Sequence, residues 1–420
     1  MILPARHKYL NLSVWLLRIA VGLVFVISGG AKMIDPYGFI YKIGQYLAVW
    51  DVTFATDGLI LLAAVGISIY EFLAGFALMT GSYKRTSPAV LLILMAFMLP
   101  LSIYIAIADP VDDCGCFGDL WIISNTATCL KNFAITAALA YLAFYNRKVQ
   151  GIFMPSVQWM QMTSAFAYIC IVGMIGYHEQ PLLDFRPYKI GTTLTGTDET
   201  DMKFIYEKNG QWKEFSLDTL PDSTWTFVTR AETPASDGQK AFVIMDGDGD
   251  DITEDVISES GEQLLLLIPG IKESLDISGS YTINELNRYI SERGGDMIAV
   301  VHADSLGREN WIDLSMADYP VYYGEDTAIK SVARGRMAMV YLIDGHIIWK
   351  RTVSSINLDK LSSEKMTDNP LKIFETNGTD RFIRLSAIFM LIELAIMIFG
   401  FGAVKTHKII HRRKRRLTDR

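Results

Sequence analysis

Six stretches of the chain stay apolar long enough to cross a bilayer, whose core of about 30 Å takes about 20 helical residues. They run over 12–33, 58–80, 88–108, 123–145, 156–177 and 384–403. Between the fifth and the sixth the pattern changes. Residues 186–255 read as short strands: Met202–Tyr206 and Trp212–Phe215 flank an Asn209-Gly210 hairpin signal, and Trp225–Val228 and Ala241–Ile244 follow. Residues 262–350 read strand, helix, strand, helix, strand, strand. Leu264–Ile268 is a continuous apolar run, as in a strand buried on both faces. A helix over Asn284–Arg293, a strand over Met297–His302 and a helix over Glu325–Ala333 come next. Strands Ala338–Ile343 and His346–Lys350 turn through Asp344-Gly345.

The pattern predicts an α-helical multi-pass membrane bundle, four helices plus two more, carrying an α/β domain outside the membrane. Its expected divisions are 1–150 for the four-helix part, 151–180 for a fifth span and 181–260 for a strand-rich segment. An α/β domain follows at 261–360, then a linker, a sixth span and a basic tail at 361–420.

Composition agrees. Of the 420 residues, 50% are apolar and 20% charged, against about a quarter charged in soluble domains. The net charge of -7 hides an asymmetry that sets orientation. Arg6 and Lys8 precede span one, Lys84 and Arg85 join spans two and three, and Arg147 and Lys148 join spans four and five. A tail from Lys405 to Arg420 with eight Lys/Arg and one acid follows span six. All lie on one side if each span crosses once, so that side is cytoplasmic. The opposite, periplasmic side then holds 34–57, 109–122 and 178–383, and the protein belongs in a bacterial inner membrane with both termini cytoplasmic. Beside an apolar span the tail reads as an anchor at the lipid surface, not as a nucleic-acid patch. Span one is not expected to be a removed signal peptide, since further spans follow and no small-residue cleavage site ends it.

Arg18 lies about two turns into the first span, and Glu71 a similar distance from the cytoplasmic end of the second. Such charges are costly unless paired, and a pair between these two is expected, as a structural clasp or as part of a proton or ligand site. Pro100 predicts a kink in span three.

Four cysteines are present. Cys114 and Cys116 lie in Asp113-Cys114-Gly115-Cys116-Phe117-Gly118-Asp119, just before span four, with Cys129 inside that span and Cys170 inside span five. In an oxidising compartment exposed thiols are paired or working. A C-x-C pair closes only through a tight ring away from preferred disulfide geometry, and strained bonds are the labile, catalytic ones. Gly115 frees the turn. Cys129 is an alternative partner for either thiol. Lys131 and the start of span four favour a thiolate, whereas Asp112, Asp113 and Asp119 oppose it. A permanent disulfide is the bland reading. Metal is not expected, because two cysteines without a nearby histidine fall short of a zinc site. Asp246–Asp251 opens like a calcium loop but lacks glycine at its sixth position and Glu at its twelfth, so it reads as an acidic turn. Cys170 reads as a small buried apolar residue.

These residues resemble the DoxX/MauE group of small membrane proteins. The resemblance is carried by Leu17-Arg18-Ile19-Ala20-Val21-Gly22, by Ser28-Gly29-Gly30-Ala31-Lys32 leading to Asp35-Pro36, and by Glu71-Phe72-Leu73-Ala74-Gly75. The cysteine motif, followed by Leu130-Lys131-Asn132, is its strongest part. It covers residues 10–150. It implies a four-helix bundle that supports disulfide formation in periplasmic proteins, with Cys114 and Cys116 as the redox pair, or quinone-coupled oxidation as in DoxX-type relatives. The order of elements over 262–350 resembles the thioredoxin fold of membrane-tethered TlpA-like proteins. Where those place C-x-x-C this chain has Pro269-Gly270-Ile271-Lys272-Glu273-Ser274, and Met337 stands where they place a cis-proline. Without a thiol that domain is expected to dock a client.

Two classes of function are open. In one, Cys114 and Cys116 cycle between dithiol and disulfide, exchanging electrons with a periplasmic thiol protein and with quinone. In the other, the cysteines are structural and the protein is a non-catalytic assembly or maturation factor. A small-solute transporter is not supported, since spans one to four show no inverted repeat.

Overall fold

The structure is a computed structural model that describes residues 3–111, 113–194, 203–208, 211–216, 224–231, 242–271, 277–363 and 370–418. The expectations for Asn209-Gly210, Asp112 and Lys272–Ser274 lie outside the described residues. The chain divides into two compact units. One comprises 1–177, 181–183 and 377–420, the other 178–180 and 184–376.

In the first unit the helices are α1 (Leu3–Ile34), α2 (Pro36–Val49), α3 (Asp57–Thr80), α4 (Thr86–Ala108), α5 (Asn125–Tyr145) and α6 (Gln158–His178), with a last long helix (Gly378–Thr418). Among the described residues six segments are long and apolar enough to cross a membrane, and each overlaps one of the six expected stretches. The chain is thus a multi-pass membrane protein. The 34–57 segment, expected as a loop, contains α2. Asp35 caps it by accepting from the Gly38 amide, and Pro36 takes the first helical position. Pro100 does not end α4, which runs on to Ala108.

Glycines bring α1 and α3 together, antiparallel and nearly backbone to backbone. A Cβ on Gly29 would lie 2.5 Å from the Ser68 carbonyl oxygen, and one on Gly75 would lie 2.6 Å from the Cβ of Phe25. Small residues at such a seam let dispersion contacts replace the hydrophobic effect that lipid removes. This register places Gly22 beside Gly75 and Met79, and Arg18 beside Gly81.

In the second unit, β1 (Lys203–Lys208), β2 (Gln211–Ser216) and β3 (Thr226–Ala231) form an antiparallel sheet in the order β2-β1-β3. The expected strand over 241–244 is reduced to β4 (Ile244–Met245). Next to it Asp246 accepts from the amides of Asp248 and Asp250, which closes the acidic turn on itself. After the short α7 (Thr253–Val256) come β5 (Glu262–Ile268), α8 (Ser280–Ser291), β6 (Asp296–Val301), α9 (Ser305–Ser315), β7 (Val321–Gly324), α10 (Asp326–Val332), β8 (Ala338–Ile343) and β9 (His346–Thr352). The six-stranded sheet runs β4-β7-β6-β5-β8-β9. β5, β6 and β7 are parallel, and β8 and β9 antiparallel. The expected order is present with one addition, α9 and β7. Their signal is weak because β7 is four residues long and only its ends are buried. Side chains from α8 and α9 cover one face of the sheet and those of α10 the other, which is why β5 reads as an unbroken apolar run.

Candidate functional site

The loop between α4 and α5 is tied down by contacts that do not involve its thiols. Asn125, in the first turn of α5, donates to Asp109 Oδ1 at 2.7 Å and to the Val111 carbonyl at 2.9 Å. Asp113 receives Lys42 from α2 at 2.6 Å and the Gly115 amide at 2.7 Å. Tyr46 on α2 donates to the Cys114 carbonyl. Gly115 has φ +67°, and a Cβ there would lie 2.6 Å from Cγ of Lys42. Only glycine accepts that conformation and that approach at little cost.

This folding sets Cys114 Sγ 2.9 Å from Cys116 Sγ. The two thiols are not equivalent. Cys114 is buried against Tyr46 and Ile105, while Cys116 is partly accessible. The hydrogen bond shared with Cys114 lowers the Cys116 thiol against its burial, and Lys131 and Lys32 act in the same direction. The same bond, together with burial, pushes Cys114 up. The pair therefore titrates as one coupled system, with the thiolate favoured at the partly accessible Cys116. Lys131 sits over the Phe117 ring, 4.5 Å from its centre, which fixes the ammonium beside the pair.

Of the other sequence candidates, Cys129 is half-buried on α5 and is a free thiol, with no hydrogen bond to either loop cysteine among the described residues. Cys170, expected to be buried, is only half covered by protein.

The Arg18–Glu71 pair is corrected. Lys32 Nζ donates to both carboxylate oxygens of Glu71 at 2.8 Å, both side chains being buried. Arg18 lies elsewhere on α1, completely buried, and donates to the Asn146, Val149 and Gln150 carbonyls just past the end of α5 and to the Asn146 side chain. The α1–α3 register explains the exchange. It leaves Arg18 level with Gly81, and there the guanidinium fork meets the carbonyls of the turn that follows α5. Lys32 reaches Glu71 instead.

Ser28, one turn before Lys32, joins the cluster to the loop. Its Oγ is 2.7 Å from Glu71 Oε2 and 2.6 Å from the Cys116 carbonyl. Beneath Cys116 lies a cavity of about 30 Å³ lined by Ser28, Glu71, Cys116, Lys131 and Asn132. Sequence reasoning passed over Ser28, Lys42, Tyr46 and the special place of Asn132. Ser28 and Lys32 share a helix face at i, i+4, a usable signal, whereas nothing local marks Tyr46. A cavity that takes benzene is about 150 Å³, so a quinone ring does not fit this one as it is shaped. Among the described residues no cluster of three or more metal-ligating side chains occurs.

Comparison with known proteins gives two family matches. The family model Methylamine utilisation protein MauE matches residues 10–145, a span that includes α2–α5, most of α1 and the whole cysteine loop. A second model, Domain of unknown function (DUF8463), matches residues 200–234. No curated protein matches the chain. The MauE match agrees with a membrane accessory or maturation role.

Proposed function

We propose that the protein supports thiol–disulfide maturation of periplasmic proteins, with Cys114 and Cys116 as its working pair. The observation that carries this reading is the 2.9 Å approach of the two sulfurs at the mouth of the bundle, one thiol buried and one accessible. The MauE match over this region supports it, and the loop charges support an inner-membrane protein whose thiols face the periplasm.

In the exchange, a client thiolate attacks the Cys116 sulfur of the Cys114–Cys116 disulfide. That bond breaks, a mixed disulfide forms, and the client's second thiolate displaces Cys116. The client is oxidised by two electrons and the pair is reduced to two thiols. Run backwards, the same chemistry reduces a client disulfide. No step passes through quinone, which does not fit the cavity.

The second unit carries none of the four cysteines. We read it as a thioredoxin-like module that docks the client. Thiol trapping in intact cells tests the proposal. Cys114 and Cys116 are expected as a mixture of reduced and oxidised forms that shifts when an external oxidant or reductant is added. A pair that stays in one state throughout would refute it and favour the alternative, an assembly factor with structural cysteines, which the extensive tethering of the loop by Lys42, Tyr46 and Asn125 also fits.

A further inference from the structure

The cavity under Cys116 holds more polar groups than a thiol pair needs. Asn132 is buried at 4% exposure, lines the cavity, and its Nδ2 has no hydrogen-bond partner among the described residues. A buried unpaired amide donor is costly, so the site is built for an acceptor. Ser28 adds a second anomaly. Its hydroxyl has one proton, yet two acceptors lie within hydrogen-bond distance, Glu71 Oε2 and the Cys116 carbonyl. A proton delivered to Glu71 Oε2 would remove the conflict, since Glu71 could then donate to Ser28 while Ser28 donates to the carbonyl.

A cavity of about 30 Å³ exceeds the ~10–15 Å³ that one water requires, and it offers the two to four polar partners that a buried water needs. We propose that this cavity holds a water that carries the Cys116 proton to Glu71, making Glu71 the base that turns the thiol into a thiolate. The step is balanced. Cys116 becomes a thiolate, Glu71 becomes a carboxylic acid, and no electrons move. The cluster keeps its net charge, because the Cys116 thiolate replaces the Glu71 carboxylate as the anion that Lys131 and Lys32 face. Lys32 on α1 holds the ionised carboxylate, Lys131 on α5 faces the new thiolate, and α4 contributes only the apolar Met95 and Met98. The inference rests on the reading of Cys116 as a reactive thiol. It makes Glu71 and Asn132 positioning residues for the proton.

The test is the pH profile of Cys116 alkylation by iodoacetamide in the full-length reduced protein, with the label located by mass spectrometry. A shared proton makes the two groups titrate as one system, so the native rate should flatten on a plateau below about pH 7. In the charge-neutral double variant Lys32→Met/Glu71→Gln the plateau should vanish, and the rate should fall about tenfold for each pH unit. Asn132→Leu, which leaves the ion pair intact, should do the same. A purely electrostatic Glu71 predicts little change in the double variant and a faster reaction in Glu71→Gln. Wild-type or faster rates in both the double variant and Asn132→Leu would overturn the proposal, as would a native Cys116 with no plateau. A native protein with the plateau whose thiols never exchange with a disulfide would instead defeat the redox reading and leave the relay standing.

Discussion

Lys32 and Glu71 form a buried ion pair in which one ammonium meets both carboxylate oxygens at 2.8 Å, on two helices that touch through glycine. Two charges taken out of water together are tolerated, but one alone is not. Lys32→Met or Glu71→Gln alone should destabilise the protein by about 3–5 kcal/mol, and the double variant should recover most of that loss. Thermal unfolding of the purified protein in detergent measures both.

The glycine seam predicts a steric effect of its own. Gly29→Ala should cost about 1–3 kcal/mol, since the added carbon would lie 2.5 Å from the Ser68 carbonyl oxygen, a backbone atom that cannot swing aside. Gly30→Ala, where the nearest atom is 3.9 Å away, is the control and should be neutral. The same unfolding experiment separates them.

Lys131 lowers the Cys116 thiol, so Lys131→Met should raise it and move the alkylation profile of Cys116 to higher pH. The sign follows from charge. A cation favours the thiolate, and removing it favours the thiol. Cys114, pushed up by its bond to Cys116 and by burial, should be labelled later than Cys116 at every pH. Labelling ratios by mass spectrometry check both statements.

In the second unit Asp184 accepts from Arg186 and from Lys350 at 2.8 Å. Burial alone would raise its carboxyl, but the two cations outweigh burial and hold it well below the usual carboxylate range. A depressed carboxylate contributes stability that is present above its unfolded value near 4 and lost as pH falls through the folded value. Asp184→Asn should therefore destabilise this unit at pH 7 by about 3–5 kcal/mol, because Arg186 and Lys350 stay buried without their anion. The penalty should shrink in acid, as followed by unfolding at pH 7 and pH 3.

The six spans and the buried strands were legible because each repeats one physical requirement over many residues. Arg18 and Glu71 were legible as anomalies but not as partners. Which cation meets Glu71 depends on the α1–α3 register, and that register is set by where glycines allow the backbones to touch. The cysteine pair was visible from its spacing. Its asymmetry was not, because Tyr46, Lys42 and Ser28 come from elements far away in sequence. Asn132 stood next to Lys131 in the chain, yet only the cavity shows that its amide lacks a partner.

The central claim is that Cys114 and Cys116 are partners of each other and work as a pair. The most direct measurement is a map of all four cysteines in the full-length protein, equilibrated across a series of reduced-to-oxidised glutathione ratios and read by differential alkylation and mass spectrometry. Cys114 and Cys116 should pass together from two thiols to one shared disulfide, while Cys129 and Cys170 remain thiols throughout. A disulfide from Cys129 to either loop cysteine, or a Cys114–Cys116 state that does not respond to the ratio, would contradict it.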